Sequence, residues 1–242
     1  IDLWPNTHML TIKVFHFNPF GENTLILWDE TGKGVIIDPG CMGPSEEERL
    51  FSFISQENVT PVAVLLTHAH FDHIYGVPAV ISKYGIPVYL NPKDKVILEN
   101  NSFLSRNFSM PDAPKDFPTT DIKEGDTIQA GNTLYEVIST PGHTPGGVCF
   151  LDRGHGVLVS GDTLFAGSIG RTDSPWGDYD SLIVCIMDKL MGLDGETEVI
   201  PGHGPSTNIG KERTHNPFLQ PFNEKEEDLG WDYDGISLDP EF

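Results

Sequence analysis

The segment Thr67-His68-Ala69-His70-Phe71-Asp72-His73 places three imidazoles and a carboxylate within six residues. Such a set is costly in a core and has no evident use on an ordinary surface, but nitrogen and oxygen donors are what divalent cations take. In an extended segment His68 and His70 point the same way, because side chains alternate with period two. Asp72 and His73, being adjacent, can turn toward a different point. The natural geometry is one metal held by the first pair and a second held by the other.

Three further donors stand directly after apolar runs. Pro141-Gly142-His143 follows Tyr135-Glu136-Val137-Ile138, Gly161-Asp162 follows Val157-Leu158-Val159-Ser160, and Pro201-Gly202-His203 follows Val199-Ile200. Strand ends with glycine-opened turns are where α/β sheets place functional groups. His68, His70 and His143 would then give one metal three nitrogens. Asp72, His73 and His203 would serve the other, and Asp162 would bridge both. Zinc suits these ligands and leaves a position for water; iron and manganese accept similar sets. With two carboxylates and a hydroxide against two divalent cations the site keeps about one positive charge. Such a site lowers the pKa of a shared water toward ~7 and stabilises the oxyanion of an attacked carbonyl, with Asp72 and Asp162 as the catalytic carboxylates. His8, His16, His155 and His215 lack this context and read as structural or exposed.

The elements that must position these donors are legible from periodicity. Val62-Ala63-Val64-Leu65-Leu66 is apolar throughout and reads as a buried strand ending where the histidine run begins. Other strands fit residues 10–17, 24–29, 35–38, 87–90, 133–139, 148–152, 157–160 and 198–201. Helices fit 44–56, with acids in the first turn, and 77–84, 92–99 and 180–191. Residues 101–123 carry three prolines among Phe103, Phe108, Met110 and Phe117, and read as a long loop whose apolar residues either form a lid or simply pack. Strands with interspersed helices in both halves suggest two mixed sheets packed face to face with helices outside, an α/β fold.

A chain of 242 residues can bury a substantial core, as one large domain or two small ones. The formal charge of −21 opposes a nucleic-acid or anionic-membrane partner and leaves a small molecule as the expected one. Residues 221–242 hold eight acids and one lysine, and from about residue 223 the chain is expected to be a flexible acidic tail. The His8-Met9 junction matches what a common cloning site encodes, so residues 1–8 read as a tag remnant ahead of a 9–222 hydrolase domain. The cysteines, Cys41, Cys149 and Cys185, form no framework, which suits free thiols in a reducing, cytoplasmic setting. No apolar run reaches the roughly 18 residues of a membrane span.

Taken together, the His-x-His-x-Asp-His run followed by His143, Asp162 and His203 resembles the metallo-β-lactamase superfamily from Met9 to about Leu219. The resemblance implies a four-layer αβ/βα sandwich of two mixed β-sheets with a di-metal site along one edge. It also implies that Asp38 supports the histidine loop from behind. Gly161-Asp162-Thr163-Leu164-Phe165 and Gly170-Arg171-Thr172-Asp173 are most similar to the glyoxalase II, or hydroxyacylglutathione hydrolase, group. Thr207-Asn208-Ile209-Gly210-Lys211-Glu212-Arg213 is similar to its short bacterial branch. The departures are specific: long members carry tyrosines where Asp173 and Pro205 stand, and add a basic helical domain for glutathione.

The function this implies is hydrolysis of a small thioester of the S-2-hydroxyacylglutathione kind, with Arg171, Lys211 and Arg213 as contacts for a substrate carboxylate. A mononuclear iron persulfide dioxygenase, using His68 or His70 with His143 and Asp162, is the redox alternative. A lactonase or another metallo-hydrolase is a further variant. A metal-binding module without catalysis fits less well, because structural zinc sites are commonly closed and cysteine-built.

Overall fold

The computed structural model describes residues 9–220, so the expected tag remnant and acidic tail lie outside the described residues. The first sheet runs β1 (Thr11–Phe17), β2 (Glu22–Trp28), β3 (Lys33–Ile37), β4 (Thr60–Leu65), β5 (Val88–Leu90) and β6 (Thr120–Asp121), each hydrogen-bonded to the next. Its opening hairpins are antiparallel, and β3 through β6 pair in parallel. The second sheet contains β7 (Thr127–Ala130), β8 (Thr133–Ser139), β9 (Val148–Asp152), β10 (Val157–Gly161), β13 (Glu198–Pro201) and β14 (Thr207–Asn208). Its spatial order is β14-β13-β10-β9-β8-β7, and only β10 and β13 pair in parallel. A small ribbon of β11 (Leu164–Phe165) and β12 (Ser168–Ile169) stands apart.

Alternation along the strands decides the layering. Leu25, Leu27, Val35 and Ile37 from the first sheet meet Tyr135, Val137, Phe150 and Val159 from the second, forming the core between the sheets. The opposite face of the first sheet, Ile26, Ile36 and Val64, is covered by α1 (Pro44–Gln56), α2 (Val77–Tyr84) and α3 (Lys95–Asn107) through Leu50, Val80 and Leu98. The outer face of the second, Cys149, Leu158 and Val199, is covered by α4 (Tyr179–Cys185) and α5 (Ile209–His215) through Leu182 and Ile209. Each sheet thus buries both faces, which is why β2 and β10 are almost continuously buried rather than half solvated. The result is the expected αβ/βα sandwich of two mixed sheets.

Some expectations need correcting. The predicted loop at residues 101–123 is too long at both ends, because α3 continues to Asn107 and β6 takes Thr120–Asp121. Leu98, Asn101, Leu104 and Ser105 form one buried helical face, while the three prolines all lie beyond it at Pro111, Pro114 and Pro118. Strand β7 was not anticipated; its short alternating run is secured by a tight turn at Gly131 (φ 62°). The helix predicted over 180–191 narrows to α4 and then rewinds as a π-helix over Ile186–Leu190. Among the described residues no helix is long and apolar enough to cross a membrane.

Candidate metal centre

Parallel strands β3, β4 and β5 end on the same edge of the first sheet, and β10 and β13 end beside them on the second. The chain leaves β4 through Thr67 and enters the histidine loop, whose last residues Phe71–His73 wind into one 3-10 turn. That turn swings Asp72 and His73 away from the direction of His68 and His70. His143 follows β8, Asp162 follows β10 at Gly161 (φ 51°), and His203 follows β13. A Cβ at Gly202 would overlap Asp162 Oδ1 and His73 Cε1, so the absence of a side chain there is what lets the last loop close on the cluster.

The structure brings all of the predicted donors together. His70 Nδ1 lies 2.9 Å from His143 Nε2, and donor atoms of His68, His70 and His143 fall within 4.8 Å of one another. The same holds for Asp72, His73 and His203, with His203 Nε2 3.1 Å from Asp72 Oδ2 and 3.3 Å from His73 Nε2. Asp162 stands between the groups. Its Oδ2 is 3.4 Å from His143 Nε2, 3.9 Å from His68 Nε2 and 3.7 Å from His203 Nε2, while Oδ1 is 3.5 Å from His73 Nε2.

Hydrogen bonds on the outer side of the rings set which nitrogen faces inward. His73 Nδ1 donates to Asp38 Oδ2 (3.0 Å), His143 Nδ1 to the Arg171 carbonyl (2.7 Å), and His203 Nδ1 to the Phe20 carbonyl (3.3 Å). His68 Nδ1 is 3.0 Å from Thr67 Oγ1, whose own proton goes to Asp38 Oδ2 at 2.5 Å. With the Nδ1 protons committed outward, four Nε2 lone pairs converge on one space. His68 Nε2 and Asp162 Oδ1 are buried and have no hydrogen-bond partner. Orphaned, mutually repelling acceptors of this kind fit cations, and the residues present pass that test. A third grouping, Asp38 with His68 and His73, is different: the Asp38 oxygens are already taken by the Thr67 amide (2.7 Å), Thr67 Oγ1 and His73.

Burial and neighbouring charge shift the titration of these side chains. Burial, with His143 beside it, holds His70 down at about 3, and burial likewise lowers His68. Burial opposes a charge on His73 as well, but Asp72 and Asp162 outweigh it and raise that imidazole well above its usual value. Asp162, despite its own burial, is held well below the carboxylate range by His73.

Several residues that sequence reasoning missed hold the loops in register. Asp94, fully buried in the 3-10 turn Pro92–Asp94 that follows β5, accepts from the Ala69 amide (2.8 Å), Thr144 Oγ1 (2.9 Å) and the Gly146 amide (2.6 Å). One carboxylate thus ties the loop of His68 and His70 to the loop of His143. Asn101 Nδ2 donates to the Ala69 carbonyl, and Asn23 Nδ2 donates to the carbonyls of Pro201 and Gly204 on either side of His203. Glu22, fully buried beside His73, is pushed well above the carboxylate range by burial and accepts from Thr24 Oγ1. Asp38 directly follows β3, but Asp94 sits in a 3-10 turn (Pro92–Asp94) beyond the end of β5, so no strand-end signal marked it.

The predicted substrate cations separate. Arg171 borders the cleft over the donors, where it is bound bidentately by Asp173 (3.0 and 3.0 Å). Lys211 and Arg213 are a correction. They line a different depression with Gly195 and Asn208, and the Arg213 guanidinium donates to the carbonyls of Met191 and Leu193, because α5 packs its basic side against the end of the π-helical segment. The lid residues also separate: Phe108 borders the cleft, Met110 packs on the first sheet's outer core, and Phe103 is exposed.

Residues 17–203 match the metallo-beta-lactamase superfamily. Hydroxyacylglutathione hydrolase GloC of Haemophilus influenzae is 35% identical over 212 residues, which cover 87% of this chain and 98% of the relative. Among solved structures, the BLEG-1 B3 metallo-beta-lactamase is 38% identical with a TM-score of 0.80, the match covering 87% of this chain and all of that one. TTHA1623 in a di-iron-bound form is 36% identical with a TM-score of 0.76, covering 86% of this chain and all of that one. The order of donors, the sandwich and these likenesses agree: the chain belongs to the metallo-beta-lactamase superfamily.

Proposed function

We propose that this member of a metallo-hydrolase superfamily cleaves a small thioester of the S-2-hydroxyacylglutathione type. The observation that carries the reading is the pair of three-residue donor groups joined by Asp162, with lone pairs facing inward and no internal partner for His68 Nε2 and Asp162 Oδ1. His68, His70 and His143 would hold one cation, Asp72, His73 and His203 the other, and Asp162 both. When bound, two divalent ions, zinc by preference among zinc, iron and manganese, supply Lewis acidity and bring the pKa of a water toward ~7. The remaining work falls to the chain. Asp162 balances charge at the centre through both oxygens. Asp72 Oδ2, in contact with His203 Nε2, is placed to take and return a proton. Asp38 and the Arg171 carbonyl keep His73 and His143 in the inward-facing tautomer. Phe71 and Phe108 border the cleft and keep water from its inner wall.

The 35% identity to a hydroxyacylglutathione hydrolase supports the thioester assignment. A mononuclear iron oxygenase needs only two histidines and a carboxylate, and would leave the assembled Asp72, His73 and His203 group without a role. The test is metal analysis of protein purified without added metal, coupled to S-lactoylglutathione hydrolysis and to oxygen uptake with a persulfide. The expected result is two equivalents of metal and thioester cleavage without oxygen consumption. One equivalent of iron with oxygen uptake would replace the reading by the redox one.

A further inference from the structure

The cleft over the donors encloses about 340 Å³ and has two unlike walls. On one side stand Phe20, Phe71, Leu104 and Phe108. Their rings interlock, Phe20 edge-on to Phe71 at 5.4 Å and to Phe108 at 5.5 Å, with Phe71 and Phe108 5.8 Å apart. Phe20 and Phe108 nevertheless stay 37% and 50% exposed, as large apolar groups do when they await a partner. The wall is continuous with the donors. Phe71 directly precedes Asp72, and the Phe20 carbonyl accepts from His203. Besides the donors, the rest of the lining is Arg171, Asp173 and Ser174 together with Phe165, and Ser174 Oγ is buried without a hydrogen-bond partner.

We propose that the apolar wall is the acyl subsite, and that the chain prefers thioesters whose acyl group carries an alkyl or aryl substituent over those ending in a methyl, as in a lactoyl group. This rests on the thioester reading given above. A carbonyl held over the donors has its two substituents directed to the two sides of the cleft. The peptide-like part of a thiol carrier brings amides that need partners, and the aromatic wall offers none. The Arg171, Asp173 and Ser174 rim offers donors and acceptors, so the carrier belongs there. Because Arg171 is already paired with Asp173, the rim carries no net charge to draw an anionic acyl group. What remains for the Phe20, Phe71, Leu104 and Phe108 wall is the acyl substituent, whose burial removes apolar surface from water on both partners.

Full burial is worth about fourfold per methylene. A half-open wall should therefore give roughly tenfold in kcat/KM for the three added methylenes between lactoyl and 2-hydroxyhexanoyl. The experiment compares lactoyl, 2-hydroxybutanoyl, 2-hydroxyhexanoyl and mandeloyl thioesters of one neutral thiol, N-acetylcysteamine, on the metal-loaded protein. It is repeated with Phe108→Ala, and with Val184→Ala as an exposed substitution on α4 outside the cleft. A rising series that flattens at least threefold in Phe108→Ala and persists in Val184→Ala is expected. A flat or falling series in the unsubstituted protein, or the same slope in Phe108→Ala, overturns the proposal.

If neither these thioesters nor S-lactoylglutathione is cleaved, the thioester reading falls by itself. The acyl subsite is then read from calorimetric binding of 2-hydroxyhexanoate against lactate to the metal-loaded protein. Tighter binding of the longer acid, lost in Phe108→Ala, supports the subsite, and equal affinities overturn it.

Discussion

The two sheets contribute to the centre in opposite ways. The first supplies His68, His70, Asp72 and His73 from one loop after β4, and braces that loop with Asp38, Asp94 and Asn101 from other elements. The second supplies His143, Asp162 and His203 singly, from three separate strand ends, with each donor depending on its own turn. A contiguous loop can misplace all its donors by one shift of its backbone, so it needs outside struts. Dispersed donors fail one at a time, and the hydrogen-bonded ladder of β8, β9, β10 and β13 already fixes their spacing. Asp94 is where the two designs meet, since it holds the first loop at Ala69 and the second half at Thr144 and Gly146.

The largest effect should come from the residue shared by both metal groups. Asp162→Ala is expected to reduce bound metal from two equivalents to one or none and to lower kcat by about a thousandfold or more, measured by elemental analysis and thioester assay. Retention of both metals with full activity would mean that the second sheet's donors are not part of the centre.

Asp94→Asn tests the strut rather than a donor. An amide in place of the carboxylate turns an N–H toward donors that now find an acceptor, and leaves at least one of them unpaired. Affinity for Co(II), followed by its absorption bands, should fall about 10- to 100-fold, as for groups that orient ligands from behind. A stoichiometry still near two would separate this loss from that of Asp162→Ala. An unchanged affinity would show that the two halves set their donors independently.

The smallest effect is a pH signature of the same carboxylate. Burial pushes Asp94 up to about 6, above the ordinary ~3.9. Between those values the folded chain holds a proton that the unfolded chain has released. The stability this group contributes is therefore present below the window and is lost as pH rises through about 6, on the order of 3 kcal/mol in all. In metal-free protein the Tm of the wild type relative to Asp94→Asn should decline by several degrees from pH 4 to 7. A pH-independent difference would show that Asp94 titrates as an ordinary carboxylate.

How much could be read beforehand differs between the same two regions. The loop of the first sheet was visible because its donors are neighbours in sequence and follow an unbroken apolar strand. His143, Asp162 and His203 were visible only as a set, each at a glycine-marked strand end. Of the struts, Asp38 was expected from the family resemblance, whereas Asp94 and Asn101 were not visible. Asp94 in Pro92-Lys93-Asp94 looks like an ordinary acid beside two lysines, and its burial follows from the packing of β5 and α3 against the histidine loop. The misplacement of Lys211 and Arg213 has the same origin, since a basic residue announces charge but not the face on which its helix leaves it. Residues 101–107 were misjudged because prolines farther along masked a helical face at Leu98, Asn101 and Leu104.

The chain's linear order by itself determined the donor types, the alternation that makes two doubly covered sheets, and the strand ends from which the donors project. Those properties are local, arising from side-chain chemistry and the periods of strand and helix. Only the tertiary structure decided which ring nitrogen faces inward, that Asp94 serves as a strut, and that Phe20, Phe71 and Phe108 gather into one aromatic cluster at the cleft. Each of these depends on contacts between residues far apart in the chain, such as Asn23 with Gly204 or Asp94 with Gly146, that only the packing of the two sheets creates.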